Sequence, residues 1–137
     1  MENLKNKKAI ITGGGRGLGK ATAIAFAKEG IDVAITGRTE AVLKETVAEL
    51  EAFGVKAIYE VFDVGVYEEV KTGIKNIVNS LGTVDILVNN AGIAAFGSLN
   101  DMEVSKWTQI IQTNVMGMYH VTKEVLPYLI DKNEGDI

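Results

Sequence analysis

The sequence predicts an open, doubly wound α/β domain: a parallel sheet with helices packed on both faces. Three observations predict it. Short β-branched runs alternate with helix-period stretches at intervals of roughly 25 residues, the spacing that parallel neighbours joined by crossover helices require. Three consecutive glycines, Gly13, Gly14 and Gly15, stand between the first strand and the first helix. A polar turn, Asn89-Asn90-Ala91-Gly92, follows the fourth strand.

Ala9-Ile10-Ile11-Thr12 is an apolar run stopped by those glycines, hence a buried strand. From Gly17 to Lys28, Leu18, Ala21, Ala25 and Phe26 fall at helical spacing, the alanines letting the helix lie close to a sheet, and Gly30 stops it. Ile31 to Thr36 is the second strand. Thr39 is placed to cap a helix with the apolar stripe Leu43, Val47, Leu50 and Phe53, closed by Gly54. Val55 to Val64 reads as the third strand, and Val66, Val70, Ile74, Ile77, Val78 and Leu81 give the third helix before Gly82.

Val84 to Val88 is the fourth strand. The longest helical stretch follows, from about Asp101 to Asp131, where Trp107, Ile111, Val115, Met118, Thr122, Leu126 and Leu129 share a face. Pro127 is expected to kink it. Gly135-Asp136-Ile137 reads as the entry to a fifth strand. No linker or low-complexity tract interrupts residues 1–137, so the chain is expected to be one domain, cut off after about four strands and four helices.

Composition excludes several classes of function. The 137 residues are 47% hydrophobic and 23% charged with one Pro, which rules out a disordered chain. A net charge of -4 gives no general attraction for phosphate backbones or anionic lipid, so neither nucleic acid nor a membrane is an expected partner. With no Cys and one His there is neither a disulfide framework nor the makings of a metal centre. The polar N-terminus, Met1 to Lys8, lacks the apolar core of a leader peptide, and a cytoplasmic protein is expected.

Position makes the glycine turn informative. Thr12-Gly13-Gly14-Gly15-Arg16-Gly17-Leu18-Gly19 lies where a strand gives way to a helix, and glycines there let backbone N–H groups meet a pyrophosphate at the helix N-terminus. The spacing Gly13-X3-Gly17-X-Gly19 departs from the common G-X-G-X-X-G. Together with Asn89-Asn90-Ala91-Gly92 it resembles the short-chain dehydrogenase/reductase family, and within it the bacterial 3-oxoacyl-acyl-carrier-protein reductases. The resemblance runs along essentially the whole chain.

That resemblance implies a Rossmann-like fold, a nicotinamide dinucleotide and hydride transfer to a carbonyl, with a 3-oxoacyl thioester as substrate. It places Gly13, Gly15, Arg16, Gly17, Leu18 and Gly19 against the cofactor. The second strand ends in Thr36-Gly37-Arg38 without an acid, and with Arg16 this resembles the members that prefer NADP. A solvated role for either arginine is the alternative. Asp63 and Val64 stand where the family meets the adenine, although Asp63 also suits a helix cap. Asn90, Ala91 and Gly92 stand on the ribose and nicotinamide side, while Asn89 suits a structural role.

Asn114 matches a family residue that kinks the helix and holds a water of the proton relay, with a purely structural role as the alternative. It is the one member of the family's four-residue catalytic set expected here. Tyr119-His120-Val121-Thr122-Lys123 has the family's Tyr-X3-Lys spacing, but it lies in the helix of Asn114 rather than the next one. Tyr119 and Lys123 are therefore read as packing or solvated, His120 as a surface residue, and Met102, Met116 and Met118 as core or interface filler. The family further implies a dimer or tetramer. The rival reading is a non-catalytic nucleotide-binding fragment or interaction module without the Ser, Tyr and Lys.

Overall fold

A computed structural model describes residues 4–137. In chain order the elements are β1 (Lys8–Thr12), α1 (Gly17–Lys28), β2 (Asp32–Gly37), α2 (Glu40–Glu51), β3 (Ala57–Val61), α3 (Tyr67–Leu81), β4 (Ile86–Val88), α4 (Val104–Ile111), a π-helical turn (Gln112–Met116) and α5 (Gly117–Lys132). The sheet is parallel with order β3-β2-β1-β4. Chain direction across the sheet therefore reverses beside β1, the place where such folds open a crevice. Asp136 makes a parallel bridge to Ile86, so the expected fifth strand begins on the outer side of β4.

Both faces of the sheet are covered, which is why its strands are continuously apolar rather than alternating. Successive residues of β1 point to opposite sides. Ala9 and Ile11 join Val33, Ile35, Ala23, Ala27, Leu43 and Leu50 under α1 and α2. Ile10 joins Ala34, Leu87, Val70, Ile74, Ile77, Val121, Val125 and Leu129 under α3 and α5. Each fully buried Ile or Leu in these layers contributes about 1.5–3 kcal/mol of transfer free energy.

The structure corrects several expectations. In α1 the buried face is Gly19, Ala23 and Ala27, while Leu18 is exposed. Close approach to the sheet selects the smallest side chains, so the bulkier Leu18 marked the wrong side. Thr39 holds the N-cap position of α2 without a side-chain capping bond. β3 ends at Val61: the Phe62 N–H makes the last bond to β2, at Gly37 O, and the Asp63 N–H turns to Glu69 of α3.

The long helical arm departs furthest from expectation. Trp107, Ile111, Val115, Met118 and Leu126 form the expected stripe, which is exposed, while Leu129 leaves it for the core. The core instead takes Gly117, His120, Val121, Val125 and Leu129. His120 is buried at 7% relative exposure, not on the surface, because its ring packs against Tyr67 and its Nδ1 reaches a main-chain carbonyl. Pro127 sits inside α5.

Candidate functional site

The glycine turn is shaped by two close approaches. Gly13 has φ +65°, and its Cα faces the Ala91 backbone so closely that a Cβ would lie 3.0 Å from Ala91 Cα. At Gly19 a Cβ would run into the Gly13 carbonyl and the Asn90 amide. Both positions require glycine, one for its conformation and one for space. α1 opens directly from this turn, and its first turn carries no acidic side chain. Its free N–H groups and dipole are thus available to an anion.

One hydroxyl ties this turn to the end of β4. Thr12 Oγ1 accepts from the backbone N–H of both Asn90 and Ala91, each at 3.0 Å. Asn90 Nδ2 donates to the carbonyls of Thr12 (3.0 Å) and Gly13 (3.2 Å). The Asn90 side chain therefore braces the glycine turn. Asn89 Nδ2 donates to Thr122 Oγ1 at 2.9 Å and holds β4 to α5, in keeping with a structural role.

A cleft of about 260 Å³ opens along the carboxyl ends of the strands. Gly13, Gly15, Arg16, Arg38, Asp63, Val64, Ala91 and Gly92, all expected from sequence, line it. Gly17, Leu18, Gly19, Asn90 and Asn114 do not line it directly, and Leu18 is 82% exposed. Val42 and Leu43 at the start of α2, Phe62, Ile93 and Thr113 line the cleft without having been singled out. Local sequence carried little signal for these, since tertiary placement alone turns an apolar residue toward a crevice.

Charge in the cleft is lopsided. Arg16 and Arg38 are exposed at its rim, and neither pairs with a carboxylate among the described residues. The nearby Glu40 is engaged with Lys44 at 3.0 Å and with the Tyr59 hydroxyl at 2.9 Å. Its carboxyl is held below the ordinary range by the hydrogen bonds from Lys44 and Tyr59. Asp63 Oδ1 accepts from the Gly65 N–H at 2.8 Å, forming a turn before α3, and Asp63 still lines the cleft. Asp63 does not cap α3, whose N-cap position is Val66 without a side-chain bond; the Asp63 carboxylate instead closes the turn ahead of the helix on Gly65.

Asn114 lies within the π-helical turn rather than in regular helix. Its Oδ1 accepts from Ile93 N–H and its Nδ2 donates to Ile93 O, both at 2.8 Å. Such wide turns break the i→i+4 ladder and recur at functional sites. Tyr119 and Lys123 are exposed on α5, with the ammonium 5.8 Å from the ring centroid. No group of His, Asp or Glu that could hold a metal occurs among the described residues.

A crevice bounded by a glycine turn, opened where strand order reverses, defines a Rossmann-like domain. The profile of the short chain dehydrogenase family matches residues 7–137. The chain belongs to that family. It is 36% identical over 138 aligned positions to a 3-oxoacyl-[acyl-carrier-protein] reductase of Staphylococcus epidermidis, covering 96% of this chain and 54% of that protein. It is also 36% identical to human short-chain dehydrogenase/reductase 3, covering 100% of this chain and 46% of that one.

Among solved structures, an NAD+-bound xylitol dehydrogenase superposes with a TM-score of 0.94 at 32% identity, over 98% of this chain and 52% of that one. A 3-ketoacyl-ACP reductase from Sinorhizobium meliloti 1021 gives 0.90 at 32% identity, over 93% and 51%. The L-sorbose reductase of Gluconobacter frateurii, complexed with NADPH, gives 0.91 at 31% identity, over 96% and 50%. The chain spans about half the length of these relatives.

Proposed function

We propose that the protein is an NADP-dependent oxidoreductase that transfers hydride to a carbonyl, with a 3-oxoacyl thioester as its substrate class. The observation that carries the cofactor choice is the pair of unpaired arginines, Arg16 and Arg38, at the cleft rim where β2 ends without an acid. A ribose 2′-hydroxyl favours a carboxylate at that place, whereas a 2′-phosphate favours a guanidinium fork. The nicotinamide, when bound, supplies the hydride.

The chain's own residues bind and orient. Gly13, Gly15, Gly17 and Gly19 bring backbone N–H groups of the turn and of α1 to the pyrophosphate, with Leu18 at its outer lip. Arg16 and Arg38 hold the 2′-phosphate, and Asp63 and Val64 flank the adenine. Ala91 and Gly92 bound the ribose and nicotinamide side, braced by Asn90. Asn114 fixes Ile93 on that same side, which supports a place for it in the catalytic set through the segment it holds. The exposed apolar stripe from Trp107 to Leu126 supports a homo-oligomer, dimer or tetramer, and the cytoplasm is the proposed place of work. No helix among the described residues is long and apolar enough to cross a membrane.

Titration of the protein with NADPH and NADH, followed by quenching of Trp107, tests the cofactor reading. NADPH binding tighter by about 100-fold is the expected result, the size of a charge-assisted bidentate contact. Equal affinities would assign both arginines to solvent. The substrate class is tested by NADPH oxidation in a protein that joins this half to the family's Ser, Tyr and Lys, a 3-oxoacyl thioester being preferred over a simple ketone. Residues 1–137 alone, with Asn114 as their one member of that set, are expected to bind cofactor without turnover.

A further inference from the structure

Residues Asp63 to Val66 lie beyond the end of β3, the edge strand, so the sheet does not fix their position. α3 holds one end, where the Asp63 N–H donates to Glu69 Oε2 at 2.9 Å, and the long helical arm holds the rest. Gln112 Nε2 donates to the Gly65 carbonyl at 2.6 Å, and His120 Nδ1 lies 2.9 Å from the Val64 carbonyl. Between them Gly117 has no side chain, and a Cβ there would come within 2.5 Å of Val64 Cγ2. The ring of His120 is itself held against Tyr67, with centroids 5.4 Å apart. Tyr67 in turn donates to Glu124 at 2.5 Å, a bond that pushes the phenol up to about 12 and keeps it neutral.

Two consecutive carbonyls of the cleft wall are thus capped by two side chains of one helical arm. The Val64 carbonyl is buried with its partner, so without His120 it pays its desolvation penalty in full. The Gly65 carbonyl meets Gln112 in an exposed bond that water can replace in part, so its cap holds the wall more weakly. The same arm grips the opposite wall separately, through Asn114 on Ile93.

We propose that Gln112 and His120 are positioning residues for the adenine end of the nucleotide site, setting the Asp63–Val64 wall through the carbonyls of Gly65 and Val64. This rests on the nucleotide reading above. The wall they hold belongs to one end of the cleft alone, so their effect is confined to that end.

The test is binding of two half-ligands, 2′,5′-ADP and nicotinamide mononucleotide, to the full chain and to Q112L, H120L and H120N, with thermal melting alongside. Gln112 is exposed, so Q112L folds even where H120L does not. H120L is expected to weaken 2′,5′-ADP by about five- to tenfold, the scale of one lost buried hydrogen bond, and Q112L by about two- to threefold because water replaces part of its exposed bond. They leave nicotinamide mononucleotide unchanged. H120N, which keeps an N–H donor near the place of Nδ1, recovers most of the loss.

Equal weakening of both half-ligands would assign these residues a general structural role and overturn the proposal. So would unchanged 2′,5′-ADP affinity in Q112L together with H120N no better than H120L. Failure of the unaltered chain to bind either half-ligand would overturn the nucleotide reading itself, and the proposal with it.

Discussion

The two edges of the sheet treat charge in opposite ways. At the amino edge, where β1, β2 and β4 begin, charges are matched: Lys8 pairs with Asp32, Lys132 with Asp85 and Lys7 with Glu134. Asp85, nearly buried, also accepts from the Lys8 backbone N–H at 2.7 Å. At the carboxyl edge Arg16 and Arg38 stand beside a cleft with no carboxylate in an ion pair with them among the described residues. The difference separates the two tasks of the sheet. Matched charges fix strand ends to one another and to the end of α5, and unmatched ones are left for a ligand to satisfy.

Substitutions at the two edges should therefore part binding from stability. The largest effect is expected at Gly19, where G19A forces a methyl into the Gly13 carbonyl. That displaces the glycine turn and costs roughly 3 kcal/mol or more of stability together with loss of dinucleotide binding, as overpacking against backbone cannot relax. Denaturant melts and a binding titration read both. Next is D85A at the amino edge, which strands Lys132 and the Lys8 N–H. It should cost about 3 kcal/mol of stability, with the dinucleotide affinity of the folded fraction unchanged.

R38D is the mirror case. It should lower NADPH affinity by about 100-fold, roughly 2.7 kcal/mol, and shift preference toward NADH. Its melting temperature should stay close to that of the parent because Arg38 has no ion pair to lose. Destabilisation by R38D, or a binding defect in folded D85A, would break the comparison.

The smallest effect concerns pH. Although burial acts to raise it, the Asp32 carboxyl is held below its ordinary 3.8 by hydrogen bonds from Lys8 and the Lys56 N–H and by the charges of both lysines. A lowered folded value means that the contribution is present above pH 3.8 and is lost as the pH falls through the folded value. The melting difference between the parent and D32N should hold steady from neutral pH to about 5 and close below about 4. A difference unchanged at pH 3 would remove Asp32 from the matched set.

Much of the carboxyl edge was legible in the sequence because its determinants are local. Gly13 and Gly19 announce a turn that no other residue fits, and the strand-end residues Arg38, Asp63 and Ala91 fall in the cleft because a parallel sheet puts every strand's carboxyl end on one side. The long arm was less legible. Its bulky stripe, Trp107 to Leu126, is a true helical face, but periodicity records that a face is apolar and not which surface meets it. The core face carries Gly117 and His120, which no hydropathy pattern ranks as core. His120 is buried by a contact with Val64, 56 positions away in sequence, and Gln112 acts at Gly65 across 47. Pairings at that separation leave no trace in a local window.

The Thr12 hydroxyl has a dynamic consequence. Asn90 and Ala91 belong to no strand, yet both their amides reach that single oxygen, Ala91 wholly and Asn90 shared with Val88 O at 3.1 Å. Breaking their bonds to Thr12 requires parting β1 from the end of β4, which is a sub-global event rather than a loop fluctuation. In a hydrogen-exchange experiment these two loop amides should exchange as slowly as those of the flanking strands, while the chain a few residues on, around Phe96 and Leu99, equilibrates quickly. The cleft then has one lip that keeps time with the core and another that moves on its own clock.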